Sequence, residues 1–279
     1  MNKIIDGKEI ADYYKKNLKK EIKSIEEKLK LVVIQVGNNP ASNVYIRKKK
    51  ELCEEVGINF ELKKYESIKE EELIKEIKKI NKDKNVTSVL VQLPLPEEIN
   101  ETNIIEAIDP KKDVDGLTSV NLGKLFAKQK AIVPCTALGV IKLLEHEKIE
   151  LDGKKVVIVG RSKLVGKPLI SLLLNKNATV TVCHSKTKNL KEETKQADIL
   201  IVAIGKKEFI KKDMIKKGSI IIDVGINRFE NKLFGDVDLT NVYKKCGKIT
   251  PVPKGGFQQQ PELLLLRTHR FQLAWLQCP

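Results

Sequence analysis

The chain has 279 residues and a net charge of +15, with 41% hydrophobic and 5% aromatic residues. That length exceeds one ordinary compact core and predicts two α/β domains. No apolar run reaches the roughly 20 residues of a membrane span, and the opening residues lack a signal-peptide pattern, so we expect a cytoplasmic protein with no membrane partner. The five cysteines have no disulfide-framework or zinc-ligand spacing, and we expect no metal site.

The excess of lysine raises the question of nucleic-acid binding. Lysines alternate with glutamates along stretches such as residues 67–79, however, and that pattern is typical of a solvated helix face. Aromatic side chains that could stack on bases are scarce. We therefore expect no nucleic-acid partner, and an anionic small-molecule substrate fits the charge equally well.

The first half of the chain alternates short apolar runs with helical patterns. Strands are predicted at 31–36, 58–62 and 86–92, and helices at 43–56 and 69–80. Helices between short apolar strands predict a mostly parallel sheet.

Within this half, Tyr45 and Lys49 stand four residues apart and so share one face of the predicted helix. They form either part of a basic surface or a buried lysine that moves protons beside a ring that stacks on a flat substrate. Gln92 ends the third predicted strand, where a parallel sheet collects its ligands. It is either a strand cap or a substrate-facing amide.

Residues 112–117 predict a turn between the two halves, followed by bridging helices at 121–127 and 137–147. Asp113 and Asp115 alternate along the turn, so one is expected to face solvent and the other a cleft between the domains. Without a third ligand nearby, a carboxylate that binds an amino-heterocycle is the better interpretation than a metal site.

The second half has predicted strands at 155–159, 179–183, 199–204 and 219–224, with helices between them. The first strand runs into the loop Gly160–Pro168 and then a helix, an arrangement that turns backbone N–H groups toward phosphates. Arg161 and Ser162 replace the second glycine of the usual dinucleotide loop. Ser185 follows the second strand where NAD-preferring sites carry an acid, which predicts NADP with Arg161 as a second contact to its 2′-phosphate.

Several segments together resemble the bifunctional methylenetetrahydrofolate dehydrogenase/cyclohydrolase family. They appear in the family's order between about residues 4 and 253: Pro40-Ala41-Ser42 with Tyr45 and Lys49, Val91 to Pro96, Lys112 to Gly116, Pro134-Cys135-Thr136, Gly160-Arg161-Ser162 with Val165 to Pro168, Asp223 to Asn227, Gly235-Asp236-Val237 and Thr250 to Pro253.

The resemblance implies a two-domain α/β architecture with a cleft between the domains. Residues 1–118 would form a folate-binding catalytic domain completed by 254–279, and residues 119–253 a Rossmann-type NADP-binding domain. It further implies NADP-dependent oxidation of 5,10-methylenetetrahydrofolate and hydrolysis of the product to 10-formyltetrahydrofolate, within one-carbon metabolism and purine biosynthesis. A homodimer is also implied.

The same resemblance assigns roles to individual residues. Lys49 would be the general acid/base of the hydrolysis, Gln92 would orient it, Tyr45 would stack on the folate and Asp115 would hold the pterin. The family's positions that contact the cofactor match Gly160, Arg161, Ser162, Ser185 and Ile226.

From residue 254 onward the sequence departs from the family pattern, which predicts a replaced terminus or a shifted reading frame. Two alternatives follow from that departure. The chain could be an inactive nucleotide-binding remnant, or it could be a monofunctional dehydrogenase, although the presence of Lys49 and Gln92 favours retention of the hydrolase activity.

Overall fold

The computed structural model describes residues 3–230 and 232–253, and these residues form two compact units. The first unit comprises residues 13–133, and the second comprises residues 3–12 together with 134–253. The predicted functional division at residues 118 and 119 stays a prediction, and its completion by 254–279 lies outside the described residues.

The first unit is built on a small parallel sheet. Helix α1 (Gly7–Lys23) spans the division at residue 12, and the remaining elements of the first unit are β1 (Lys30–Val36), α2 (Pro40–Val56), β2 (Asn59–Tyr65), α3 (Glu70–Lys82), β3 (Ser88–Val91), α4 (Glu101–Glu106) and α5 (Ser119–Phe126). The strand order is β2-β1-β3. The central β1 is almost wholly buried, and the apolar face of α3 packs on the sheet through Leu73, Ile77 and Ile80. This burial stabilises the sheet and fixes which strand ends lie side by side.

The second unit contains a five-stranded parallel sheet and a hairpin. Its elements are α6 (Cys135–His146), β4 (Lys155–Val159), α7 (Gly166–Leu174), β5 (Thr179–Cys183), α8 (Leu190–Lys195), β6 (Ile199–Val202), β7 (Ile220–Asp223), β8 (Asn227–Phe229), β9 (Lys232–Phe234), α9 (Leu239–Val242) and β10 (Lys248–Ile249). The sheet order is β10-β7-β6-β4-β5, and β8 and β9 pair antiparallel. Residue Ile4 adds a parallel bridge to Ile249 at the β10 edge.

This order is that of a doubly wound sheet whose first strand, β4, is flanked by its second, β5, and its third, β6. The direction of winding therefore reverses between β4 and β6, and ligands of such sheets bind at the carboxyl ends of the strands at this reversal. The fold class predicted from the sequence, a two-domain α/β protein with a Rossmann-type half, is confirmed. Among the helices described, none is long and apolar enough to cross a membrane.

Candidate active site

A buried lysine and a strand-end amide meet in the first unit. The Lys49 side chain, on the inner face of α2, belongs to a residue that is only 8% exposed, and its Nζ donates to the Oε1 of Gln92 at 2.8 Å. The Gln92 amide nitrogen donates in turn to the backbone oxygen of Leu93 at 2.8 Å, which leaves Oε1 directed at the lysine. The interpretation of Lys49 as part of a basic surface is therefore wrong, because its side chain is buried. Burying an amine costs free energy unless it has a hydrogen-bond partner, and Gln92 is such a partner.

The start of α2 fixes where this lysine points. Asn39 caps the helix by accepting from the backbone N–H groups of Ala41 and Ser42, and Pro40 occupies the first turn. The Ser42 hydroxyl lies 3.5 Å from the backbone oxygen of Leu93, the same oxygen that accepts from Gln92. The start of α2 is thus tied to the segment that follows β3.

Tyr45 and Cys53 lie one turn before and one turn after Lys49. Tyr45 is half-buried, and its burial raises the pKa of its hydroxyl, so the ring is neutral at physiological pH. Burial raises the pKa of the Cys53 thiol to about 12, although the charge of Lys49 opposes this shift. Cys53 is therefore a protonated core side chain and does not compete with Lys49 for chemistry.

The predicted turn carries two acids with different environments. Asp113 is 1% exposed, and its Oδ2 accepts from the backbone N–H and hydroxyl of Thr118, both at 2.8 Å, and from the Nδ2 of Asn121 at 3.0 Å. The expectation that the two acids divide between solvent and a cleft is wrong, because Asp113 faces neither: its carboxylate is a buried acceptor of hydrogen bonds within the turn. Asp115 is half-buried, and Gly116 after it has φ +63°.

Gly160 and Gly166 explain the unusual glycine spacing in the second unit. A Cβ on Gly166 would lie 2.2 Å from the backbone oxygen of Gly160, and a Cβ on Gly160 would lie 2.3 Å from that of Ala203, after β6. The two glycines therefore bring the loop after β4 against the start of α7 and against the neighbouring strand. Gly160 also has φ +130°, a conformation that favours glycine.

The rest of this loop is closed by Ser162 and leaves its polar residues accessible. The Ser162 hydroxyl accepts from the N–H of Val165 at 3.1 Å, and the Ser162 backbone oxygen accepts from the N–H of Lys167 at 3.0 Å. Arg161 and Ser162 are both exposed. The loop lies at the carboxyl end of β4, beside the winding reversal, as the sequence predicts for a phosphate-binding loop.

Ser185 lies in a tight turn at the carboxyl end of β5. The turn is held by His184, whose N–H donates to the Thr187 hydroxyl at 2.8 Å and whose Nδ1 accepts from the N–H of Lys186 at 3.1 Å. Ser185 is exposed between these two anchors. His184 thus shapes the turn that presents Ser185.

Ile226 follows β7 beside two buried acids, Asp223 and Asp236, to which the sequence alone assigns no role. Gly225 precedes it, and Asn227 after it donates from Nδ2 to the carboxylate of Asp236 at 2.9 Å. Asp236 and Asp223 are completely buried or nearly so, at 0% and 2% exposure. An acid at the end of an apolar strand with a glycine two residues later was the available signal for Asp223.

The two units define a class of protein: an α/β protein with a buried lysine paired to a strand-end amide in one unit and a glycine loop at the winding reversal of a doubly wound sheet in the other. A family model described as the catalytic domain of tetrahydrofolate dehydrogenase/cyclohydrolase matches residues 5–115. A second, described as the NAD(P)-binding domain of the same enzymes, matches residues 134–267. The chain belongs to the tetrahydrofolate dehydrogenase/cyclohydrolase family, which confirms the resemblance.

Relatives match over nearly the whole chain. The bifunctional protein FolD of Agathobacter rectalis is 51% identical over 262 residues, covering 91% of this chain and 93% of the relative. The crystal structure of the bifunctional FolD dehydrogenase/cyclohydrolase from Campylobacter jejuni has a TM-score of 0.93 and 44% identity, covering 98% and 99% of the two chains. The Trypanosoma brucei FolD structure, complexed with NADP and an inhibitor, has a TM-score of 0.90 and 31% identity, covering 99% and 98%.

Proposed function

We propose that this protein oxidises 5,10-methylenetetrahydrofolate with NADP and hydrolyses the resulting 5,10-methenyl cation to 10-formyltetrahydrofolate. The observation that carries the proposal is the buried Lys49 Nζ held by the Oε1 of Gln92, in a chain of this family. A hydrolysis at neutral pH needs a group that accepts a proton from water and later returns it, and a lysine can do so when its surroundings disfavour the charged form.

In the proposed hydrolysis the Nζ of Lys49 first accepts a proton and later gives it back. The positive charge of the substrate keeps the nearby amine neutral, and the amine accepts a proton as water adds to the substrate carbon and removes that charge. The protonated Nζ then returns a proton to the folate nitrogen as the carbon–nitrogen bond breaks, and the hydroxyl of the water adduct loses its proton to solvent as its oxygen becomes the formyl carbonyl. The Oε1 of Gln92 accepts from Nζ, and it keeps the lysine directed at one position in both states.

Tyr45 and Asp115 are the proposed binding groups of the same unit. The half-buried, neutral Tyr45 ring offers an apolar face on which a flat heterocycle stacks. Asp115 offers a carboxylate that accepts from the amino and ring N–H groups of a pterin. The buried Asp113 fixes the turn that bears Asp115, so the acceptor is held before the substrate arrives.

The residues of the second unit fit NADP. Bound NADP supplies the hydride acceptor for the oxidation. Gly160, Arg161 and Ser162 present the loop to phosphates, and Ser185 offers a hydroxyl without the acid that would repel a 2′-phosphate. Ile226 offers an apolar contact. The monofunctional-dehydrogenase alternative is not favoured, because Lys49 and Gln92 are both present and paired. The inactive-remnant alternative is not favoured by the relatives, and the altered terminus on which it rests lies outside the described residues.

A homodimer and a cytoplasmic location belong to the same proposal. The homodimer would form through the second units, since β5 lies at an edge of its sheet and Leu174 at the end of α7 is 51% exposed. Sheet edges and exposed leucines are common sites of association between subunits.

The test replaces the proposed acid/base and measures the two activities separately. We expect the wild-type protein to reduce NADP with 5,10-methylenetetrahydrofolate and to hydrolyse 5,10-methenyltetrahydrofolate. We expect Lys49→Met to lose at least about a hundredfold of the hydrolysis rate, in the range ascribed to one acid/base group. Oxidation should continue in this variant, so the methenyl product accumulates and its absorbance is read after acid quench.

Lys48→Met is the matched control, since Lys48 is the preceding residue of the same helix and is exposed. It should keep both activities. Equal hydrolysis by Lys49→Met and wild type would overturn the role of Lys49, and absence of both activities in the folded wild-type protein would overturn the proposed function.

A further inference from the structure

Asp223 and Asp236 are two buried carboxylates of the second unit that are linked through backbone hydrogen bonds. The Asp223 carboxylate, at the end of β7, accepts from the backbone N–H groups of Gly225 at 3.1 Å, Asp236 at 3.0 Å and Val237 at 2.9 Å. The Asp236 carboxylate accepts from the N–H groups of Ile204 at 2.6 Å, Gly205 at 3.0 Å and Lys206 at 2.8 Å, and also from the side chain of Asn227. The first acid therefore fixes the backbone of the second, which fixes two further loops.

Two glycines provide the space that these two carboxylates occupy. A Cβ on Gly225 would lie 2.1 Å from the Asp236 carboxylate carbon, and a Cβ on Gly235 would lie 1.9 Å from the Oδ2 of Asp223. Each glycine thus stands next to the acid of the opposite segment. Neither glycine has a positive φ, so the space for the carboxylate, and not a special backbone conformation, is what these positions require.

The loops held by Asp236 are the ones beside the dinucleotide loop. Ile204 to Lys206 follow β6 directly after Ala203, whose backbone oxygen is the atom against which Gly160 packs. Asn227 follows Ile226, a proposed cofactor contact. The carboxylate therefore connects two segments at the winding reversal, where a doubly wound sheet binds its ligand.

We propose that Asp236, itself held by Asp223, is a positioning residue for the cofactor: it fixes the loop after β6 and the Ile226 segment in the conformation that binds NADP. This inference rests on the proposed function of the second unit. Three consecutive backbone N–H groups donate to one carboxylate, so removing its charge frees a whole loop and not a single bond.

The test is Asp236→Asn, with Asp238→Asn as its matched control. The amide introduced by Asp236→Asn would place an NH₂ group against backbone N–H donors, so one of the two loops loses its acceptor. Asp238 is also largely buried at 8% exposure, but its carboxylate accepts from Asn241 at the start of α9 and from Lys211 rather than from the two loops. We expect Asp236→Asn to raise the Kd and KM for NADP at least tenfold, with hydrolysis of methenyltetrahydrofolate unchanged within twofold. Asp238→Asn should leave the Kd for NADP unchanged.

Asn227→Ala provides a milder variant if Asp236→Asn does not fold. It removes one side-chain donor from Asp236 at a half-buried position, and we expect a threefold or larger rise in the Kd for NADP at an unchanged hydrolysis rate. An unchanged Kd in a folded Asp236→Asn, or in Asn227→Ala where the former is unfolded, would overturn the inference alone. An equal rise in Asp238→Asn would also overturn it. Absence of NADP binding by the wild type would overturn the proposed function and the inference together.

Discussion

Three consecutive lysines, Lys48, Lys49 and Lys50, differ in where α2 directs their side chains. Lys48 and Lys50 are exposed, and Lys50 lies 3.8 Å from Glu54, whereas Lys49 is buried. Which face of this helix is buried can be predicted from the sequence, because the apolar Ile46, Cys53 and Val56 lie at helical spacing from position 49. The contact with Gln92 cannot be predicted in this way, because that contact depends on how α2 packs against the end of β3.

The residue Asp223 gives a prediction about pH. Burial raises the pKa of Asp223 from its ordinary 3.8 to about 7, and the nearby Asp236 carboxylate adds to this shift. The backbone hydrogen bonds that Asp223 accepts act in the opposite direction. A group whose pKa is raised on folding makes its full contribution to the free energy of unfolding below about pH 4, where it is protonated in both states, and this contribution is lost as the pH rises through 7. We therefore expect the wild-type free energy of unfolding to fall relative to Asp223→Asn between pH 4 and 7, by at most about 4 kcal/mol.

Urea denaturation of both proteins at several pH values between 4 and 8 measures this difference. The variant carries no titratable group at position 223, so the ionisations of groups that do not interact with position 223 cancel in the comparison. Parallel stability profiles for the two proteins would show that Asp223 keeps an ordinary pKa and is ionised throughout.

At the scale of elements, the strands of the second unit were the most predictable. The predicted strands 155–159 and 179–183 coincide with β4 and β5, because their β-branched runs are bounded by charged or turn residues. The hairpin of β8 and β9 was not predicted, since strands of three residues leave too short a pattern. Helix α1 was also missed, although its buried Ile10, Tyr14 and Leu18 have helical spacing.

The loop between β4 and α7 gives a prediction of its own. A Cβ at Gly166 would meet backbone atoms of Gly160, which cannot rotate away as a side chain does, so Gly166→Ala requires the loop to move. We expect this variant to lose about 1–3 kcal/mol of stability, the usual cost of overpacking, and to bind NADP at least tenfold more weakly. Calorimetric titration with NADP, together with thermal unfolding, measures both effects.

Gly123→Ala serves as the control, since Gly123 lies in α5 and a Cβ there meets nothing within 4 Å. It should raise the stability by up to about 1 kcal/mol, because alanine favours helix. If Gly166→Ala bound NADP as the wild type does, the close approach of the two glycines would have no part in the cofactor site.

At the scale of the whole molecule, the proposed homodimer predicts a particle of twice the 31.5 kDa mass of one chain. Light scattering after size exclusion measures this mass directly. Val180→Asp, at the edge strand β5, should shift the protein toward the monomer because it places a charge where a second copy would pack. A monomeric wild type at micromolar concentration would rule out the dimer.

The bridge between Ile4 and Ile249 also orders events during synthesis. The backbone N–H of Ile5 donates to the backbone oxygen of Ile249, and the N–H of Ile249 donates to that of Lys3, so residues made first are paired with a residue made about 245 positions later. Translation adds about 5–20 residues per second and domains fold as units. The sheet edge at β10 therefore gains its partner from the start of the chain only after residue 249 has emerged, so the second unit cannot complete this pairing earlier in synthesis.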